Sequence, residues 1–284
     1  MFTQELRDQI KNLELIARRL VSGLPVGNYR TKQKGSGFEF DQLRDYTLGD
    51  DIRFIDWKSS ARAQKILTRQ YLEDQQKTVI LAIDISASTQ FGSQHVLKSA
   101  FIKQVAGVLA FIALYHKDSV GLILFSDELE LVINASTGRA ALLKILEQIF
   151  SYRAKKTGTD INKLLEHVLK KYKKAVTLCI ISDMCCDLNE NLLAANSSAH
   201  DLFLFRCIDP VEEQFPVVGF LALEDRESGQ IITINTNKQS EQLSQKKLAQ
   251  DALFKKLGLP AVVCNTRDSL INQVSNFLKK YSTK

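Results

Sequence analysis

Three short stretches of this 284-residue chain gather oxygen-bearing side chains in a pattern suited to ion chemistry. Asp84, Ser86 and Ser88 alternate directly after an apolar run. Thr157-Gly158-Thr159-Asp160 precedes a helical pattern, and Ser182-Asp183 closes a second apolar run. Together they supply two carboxylates and three or more hydroxyls. Hard divalent cations prefer such ligands, and Mg²⁺ takes six oxygens while keeping several waters. Hydroxyls bring no charge, so two carboxylates leave a divalent ion close to neutral. The ion then still attracts one more carboxylate from outside. The alternate spacing lets a turning loop point Asp84, Ser86 and Ser88 at one centre. A plainer alternative is that Asp84 and Asp183 cap turns or helices, as such residues commonly do.

The elements around these stretches must bring them together. From residue 78 onward, apolar strand-like runs (79–84, 120–125, 129–133, 175–182, 202–208) alternate with helical patterns (94–116, 138–150, 160–172, 189–198). This alternation is the signature of a mostly parallel sheet with helices on both faces. In open sheets of this kind, ligands sit beyond the carboxyl ends of the strands, where all three stretches lie. Residues 217–223 and 231–235 suggest a hairpin turning at Glu227-Ser228-Gly229. Residues 239–257 read as a helix, 261–264 as an edge strand completing the main sheet, and 269–281 as a closing helix. The expected fold is thus α/β and doubly wound, with one antiparallel edge strand.

Residues 1–76 differ in character. Leu6, Ile10, Leu13, Ala17 and Leu20 recur at helical spacing over 3–22, and Gly23 and Pro25 stop the helix. Residues 38–74 mix charges with aromatics and hold no clean period, so a small irregular lobe with a strand near 66–71 is expected. The division is 1–76 as helix and lobe, then 77–284 as the α/β domain with a C-terminal extension.

Composition excludes several classes. Hydrophobic residues are 45% and charged residues 25%, ordinary for a globular protein. The net charge of +6 is mild, and no basic patch interleaved with aromatics argues for nucleic acid. The basic stretch Arg30–Lys34 and the lysines 170, 171, 173 and 174 are short, and the latter sit at a helix end where they complement the dipole. Five cysteines, an odd number without C-x-x-C spacing, suit a reducing cytoplasm. Neither a signal peptide nor an apolar stretch of about 18 residues is evident, so no transmembrane segment is expected. His95, His116, His167 and His200 lie in or beside helix patterns and offer no catalytic base.

The constellation resembles the von Willebrand factor A domain with its metal-ion-dependent adhesion site, built from D-x-S-x-S, a threonine and an aspartate on successive loops. Asp84, Ser86 and Ser88 match the first part, Thr159 in T-G-T-D the second, and Asp183 in I-S-D-M the third. The resemblance implies that the serines and threonine touch the metal, with Mg²⁺ (or Mn²⁺ or Ca²⁺) as cofactor, and that the aspartates often act through water. Met184 stands where many such domains have glycine. Gly35 to Arg62, running G-S-G-F-E-F-D-Q-L-R-D-Y-T-L-G-D-D-I-R-F-I-D-W-K-S-S-A-R, closely resembles the domain-of-unknown-function family 58. Members often accompany AAA+ ATPases of the MoxR type. The resemblance therefore implies an adaptor or assembly role, with such an ATPase or its client as partner.

Within the lobe, Arg44, Arg53 and Arg62 stand among Asp45, Asp50, Asp51 and Asp56, a composition for bidentate ion pairs. Trp57 is the sole tryptophan. Arg44, Arg53, Trp57 and Arg62 are candidate partner contacts, against the plainer reading of a salt-bridged structural lobe. A Mg²⁺-dependent phosphoester hydrolase is the alternative function. It is weakened because the haloacid-dehalogenase pattern needs an aspartate where Ser86 stands. Cys185-Cys186 offer a redox-sensing reading near the metal, against the plainer one that adjacent thiols without a basic neighbour in sequence are inert.

Overall fold

Helical spacing of Ile10, Leu13, Ala17 and Leu20 produces helix α1 (Gln4–Ser22), and these residues form its buried stripe. The computed structural model describes residues 4–22, 34–35, 39–72, 76–93, 96–213, 219–224 and 231–281. After α1 come strands β1 (Lys34–Gly35) and β2 (Glu39–Asp45), helix α2 (Trp57–Ala63) and strand β3 (Leu67–Leu72). The chain then runs through β4 (Thr78–Asp84), α3 (Lys98–Tyr115), β5 (Ser119–Phe125), β6 (Leu129–Ser136), α4 (Arg139–Ser151) and α5 (Ile161–Lys171). It continues through β7 (Thr177–Ser182), α6 (Glu190–Ala199), β8 (Asp201–Ile208) and the short α7 (Pro210–Glu213). Last come β9 (Phe220–Glu224), β10 (Ile231–Asn235), α8 (Thr236–Lys256), β11 (Ala261–Asn265) and α9 (Leu270–Tyr281).

The main sheet has the order β11-β8-β7-β4-β5-β6. All neighbours pair in parallel except β5 with the edge strand β6. β4 and β7 are adjacent at the centre, where the winding reverses direction. That reversal opens a crevice at the strand ends, the usual ligand position in such sheets. The expected edge strand at 261–264 is present as β11. The hairpin β9–β10 forms a separate two-stranded sheet. The expected turn at 227–229 lies outside the described residues, as do Arg30, Lys32 and His95.

Both faces of the sheet are covered, which explains why its strands read as near-continuous apolar runs. On one face Ile80, Ala82, Ile123, Ile180 and Leu204 join Leu164, Leu165 and Val168 of α5, Leu193 of α6 and Phe254 of α8 in a single core cluster. On the other, Phe277 of α9 packs edge-on against Phe203 and Phe205. α3 is buried along most of its length. By length and composition it is apolar enough to cross a membrane, and two-thirds of it (67%) is enclosed by the rest of the protein. α1 packs on α3, where a Cβ on Gly107 would lie 2.8 Å from Leu13 Cδ1. By its contacts α1 therefore groups with the sheet rather than with the lobe that follows it in sequence.

Gly121 marks a second close approach. It sits at a register shift in the β5–β6 pairing, and a Cβ there would meet Ile80 Cδ1 at 2.8 Å and the backbone of Ile133 and Ala135 at 3.1 Å. Backbone atoms cannot swing aside as a side-chain tip does. Gly121→Ala is expected to lower the unfolding free energy by about 1–3 kcal/mol in urea titration.

Residues 25–76 form a unit of their own. It is more regular than the sequence suggests: β1, β3 and β2 make an antiparallel sheet, with a bulge at Phe40/Gln42. Short strands broken by a bulge carry no sustained alternation, which is why their period is invisible.

Candidate metal centre

The carboxyl ends of β4 and β7 carry the two candidate acids. Asp84 ends β4 and is buried. Its Oδ1 accepts from the Ser86 amide (2.9 Å), and its Oδ2 accepts from Ser182 Oγ (2.5 Å). The Ser86 bond folds the loop back on itself, and the Ser86 and Ser88 hydroxyls then stand 3.0 Å apart. The Ala87 amide donates to the Thr157 carbonyl (2.9 Å), and the Asp160 amide donates to the Ser126 carbonyl (2.8 Å). These two bonds dock the Thr159 segment beside the serine loop. Asp160 itself is the N-cap of α5, with its Oδ1 accepting from the amides of Asn162 and Lys163.

Thr159 Oγ1 is buried and has no hydrogen-bond partner. A buried hydroxyl without a partner costs free energy unless a ligand or ion satisfies it. Burial pushes the Asp84 carboxyl up, to about 7, and the nearby charge of Asp183 pushes the same way. Two carboxylates forced together in a dry site need a cation to remain ionised together.

A lysine occupies one side of the site. Lys98, the first residue of α3, is 1% exposed. Its Nζ meets Asp183 Oδ2 at 2.8 Å and Glu212 Oε1 at 2.7 Å. Burial alone would discharge this ammonium. The charges of Asp183 and Glu212 outweigh that and hold it protonated. The other oxygen of Asp183 accepts from the Cys185 amide (3.1 Å). Asp84, Asp183 and Glu212 set against Lys98 leave two negative charges, the complement of a divalent ion.

Met184 follows at φ 57°, a left-handed conformation that glycine adopts at least cost. This gives a backbone reason for the glycine common at this position in adhesion-site domains. Cys185 is exposed and Cys186 half-buried, and enclosure by the surrounding protein together with the nearby charge of Asp183 pushes both thiols up, Cys186 to about 12. Neither is poised as a reactive thiolate.

Among the described residues, no three His, Cys, Asp or Glu side chains cluster so as to hold a metal. A cation here would depend on hydroxyls, and the donor set fits one: Ser86, Ser88 and Thr159 as direct ligands, Asp84 and Asp183 behind them. Lys98 and Glu212 are the members that sequence reasoning left out. A lysine opening a mostly apolar helix was the available signal.

The lobe residues are arranged differently. Arg44 grips Asp50 with two bonds of 2.7 and 2.6 Å, holding that carboxyl well below the usual range. Arg53 pairs with Asp51. Asp56 caps α2 and pairs with Arg69 rather than with Arg62. Arg62 is exposed and pairs with no described carboxylate. Trp57 is 68% exposed, so it does not anchor the core of its unit. Arg44 and Arg53 thus have structural partners within the lobe, while Trp57 and Arg62 are exposed.

A mostly parallel six-stranded sheet with one antiparallel edge and helices on both faces makes a von Willebrand factor A-like α/β fold. The family model described as "Protein of unknown function DUF58" matches residues 42–252, and the chain belongs to that family. An uncharacterized protein of Mycobacterium tuberculosis is 26% identical over 228 residues, covering 79% of this chain and 72% of that protein. The crystal structure of the conserved hypothetical protein BatB from Bacteroides thetaiotaomicron is similar with a TM-score of 0.50 at 17% identity, covering 73% of this chain and 100% of that one. The von Willebrand factor A domain of SpRpn10 aligns with a TM-score of 0.37 at 10% identity, over 72% of this chain and 95% of its own.

Proposed function

We propose that this protein is a Mg²⁺-dependent protein-binding adaptor, working in the cytoplasm, in which a carboxylate of the partner completes the metal shell. The partner we propose is a MoxR-type AAA+ ATPase or a client that it remodels. The partnerless, buried hydroxyl of Thr159 carries the reading. The Ala87–Thr157 hydrogen bond ties the Thr159 segment to the loop of the serine pair, and a bound ion would satisfy the Thr159 hydroxyl. When bound, Mg²⁺ supplies an electrophilic position for an incoming carboxylate. The protein's own groups fix that position: Ser182 and the Ser86 amide orient Asp84, and Lys98 orients Asp183. Charge meeting charge in a partly dry site makes such capture strong.

The test is the affinity of the purified ATPase for wild type and for Thr159→Val, each with Mg²⁺ and with EDTA. Wild type should bind at least about tenfold tighter with Mg²⁺, which corresponds to about 1.4 kcal/mol. Thr159→Val should lose that gain although the ATPase's own nucleotide metal is untouched. Equal affinity of the two proteins in Mg²⁺ overturns the proposal.

A further inference from the structure

Beside the Asp84 loop lies a cavity of about 400 Å³, between the start of α3 and residues 152–157. Lys103 projects into it from α3, and Arg153 and Lys156 line it from the facing loop. Cavities of about 300–1,000 Å³ are the usual size for small ligands or single side-chain groups with their backbone. Lys103 is half-buried, and its ammonium makes one long contact, 3.5 Å to the Phe150 carbonyl. Burial lowers its pKa with no compensating carboxylate nearby. Arg153 and Lys156 form no ion pair among the described residues. The single carboxylate in the wall is Asp84, and both its oxygens are already engaged.

The loop that carries these cations is held firmly. Glu130 accepts from the amides of Lys155 (2.8 Å) and Lys156 (3.2 Å) and from Ser126 Oγ (2.7 Å). Tyr152 Oη donates to the Glu130 carbonyl (3.3 Å), and Thr157 receives the Ala87 amide. Glu130 therefore shapes this loop through its backbone amides, and Asp127 stands beside Gly158 at the loop's end. Lys103, Arg153 and Lys156 line the hollow, and none of the three is in an ion pair among the described residues, an arrangement that favours an anion from outside.

We propose that this cavity is an anion subsite that takes a second carboxylate of an acidic partner segment, next to the metal that takes the first. The proposal rests on the metal-dependent reading above for its neighbour, but not for its own chemistry. The cavity shares the Asp84–Ala87 loop with the metal centre, so consecutive acidic residues of one extended segment reach both.

The test uses a fluorescent hexaglutamate peptide and the 284-residue chain, with Mg²⁺ and with EDTA. Wild type, Arg153→Ala/Lys156→Ala and Lys103→Met are compared with Lys173→Ala/Lys174→Ala, which removes the same charge from exposed positions elsewhere. The cavity variants should bind at least about tenfold more weakly, and the control within about twofold. Equal weakening of control and cavity variants overturns the subsite, because net charge alone then explains binding. Binding that needs Mg²⁺ yet is unchanged in the cavity variants also overturns it, while leaving the metal reading intact. Binding that ignores EDTA yet is lost in the cavity variants supports the subsite and counts against the metal. Displacement of the peptide by inorganic phosphate at sub-millimolar concentration overturns the choice of carboxylate.

Discussion

Lys98→Met is expected to melt roughly 10 °C below wild type in the absence of metal. Its ammonium is 1% exposed and lies between Asp183 and Glu212, with Asp183 equally enclosed. Removing one partner of a buried pair leaves an uncompensated charge and costs about 3–5 kcal/mol. For a unit of this size, each kcal/mol moves the melting point by about 2–4 °C. Methionine keeps the volume, so a cavity contributes little. Glu212→Gln should cost far less, because Glu212 reaches solvent and Asp183 keeps its lysine. Added Mg²⁺ should raise the melting point of Lys98→Met more than that of wild type, since Asp183 then has no other counter-charge. Differential scanning fluorimetry reads all three. A Lys98→Met protein as stable as wild type would show that the ion pair does not hold this loop.

Asp84→Asn should act in the opposite sense on stability while removing metal binding. Burial and the neighbouring charge of Asp183 raise the Asp84 carboxyl to about 7, well above its unfolded value. The folded state therefore binds more protons than the unfolded state between about pH 4 and pH 7. The contribution of this group is fully present below pH 4 and is lost as pH rises through 7. On the order of 4 kcal/mol is involved over that window. Asparagine stays neutral and keeps one accepting oxygen, so the metal-free variant should gain roughly 2–3 kcal/mol above pH 7, after about one lost hydrogen bond. Below pH 4 the two proteins should converge. Urea titrations at pH 4 and pH 8 in EDTA test this. A variant less stable than wild type at pH 8 would mean that Asp84 is not held in the crowded, dry setting described here.

Different parts of the molecule were legible to different degrees, for physical reasons. The strands β4, β5, β7 and β8 announce themselves because burial on both faces demands unbroken apolar runs. The D-x-S-x-S loop is legible because its geometry is local: the Asp84–Ser86 bond spans two residues. The Lys98–Asp183–Glu212 triad joins points far apart in sequence, and no periodicity records such a meeting. α1 shows its apolar stripe plainly, yet a stripe does not name what covers it. The close approach of Leu13 to Gly107 and the hydrogen bond from Arg18 Nε to Tyr115 Oη assign α1 to α3. The strands of the lobe are short and interrupted, so their charges and aromatics conceal them.

Diffraction from Mn²⁺-soaked crystals, recorded at the manganese edge, addresses the metal centre without any partner. One anomalous peak per chain should lie among Ser86 Oγ, Ser88 Oγ and Thr159 Oγ1, with Asp84 and Asp183 facing it, and should vanish in Asp84→Asn crystals. No peak at saturating Mn²⁺, or a peak held by other side chains, would contradict a metal-dependent adaptor built on these three loops.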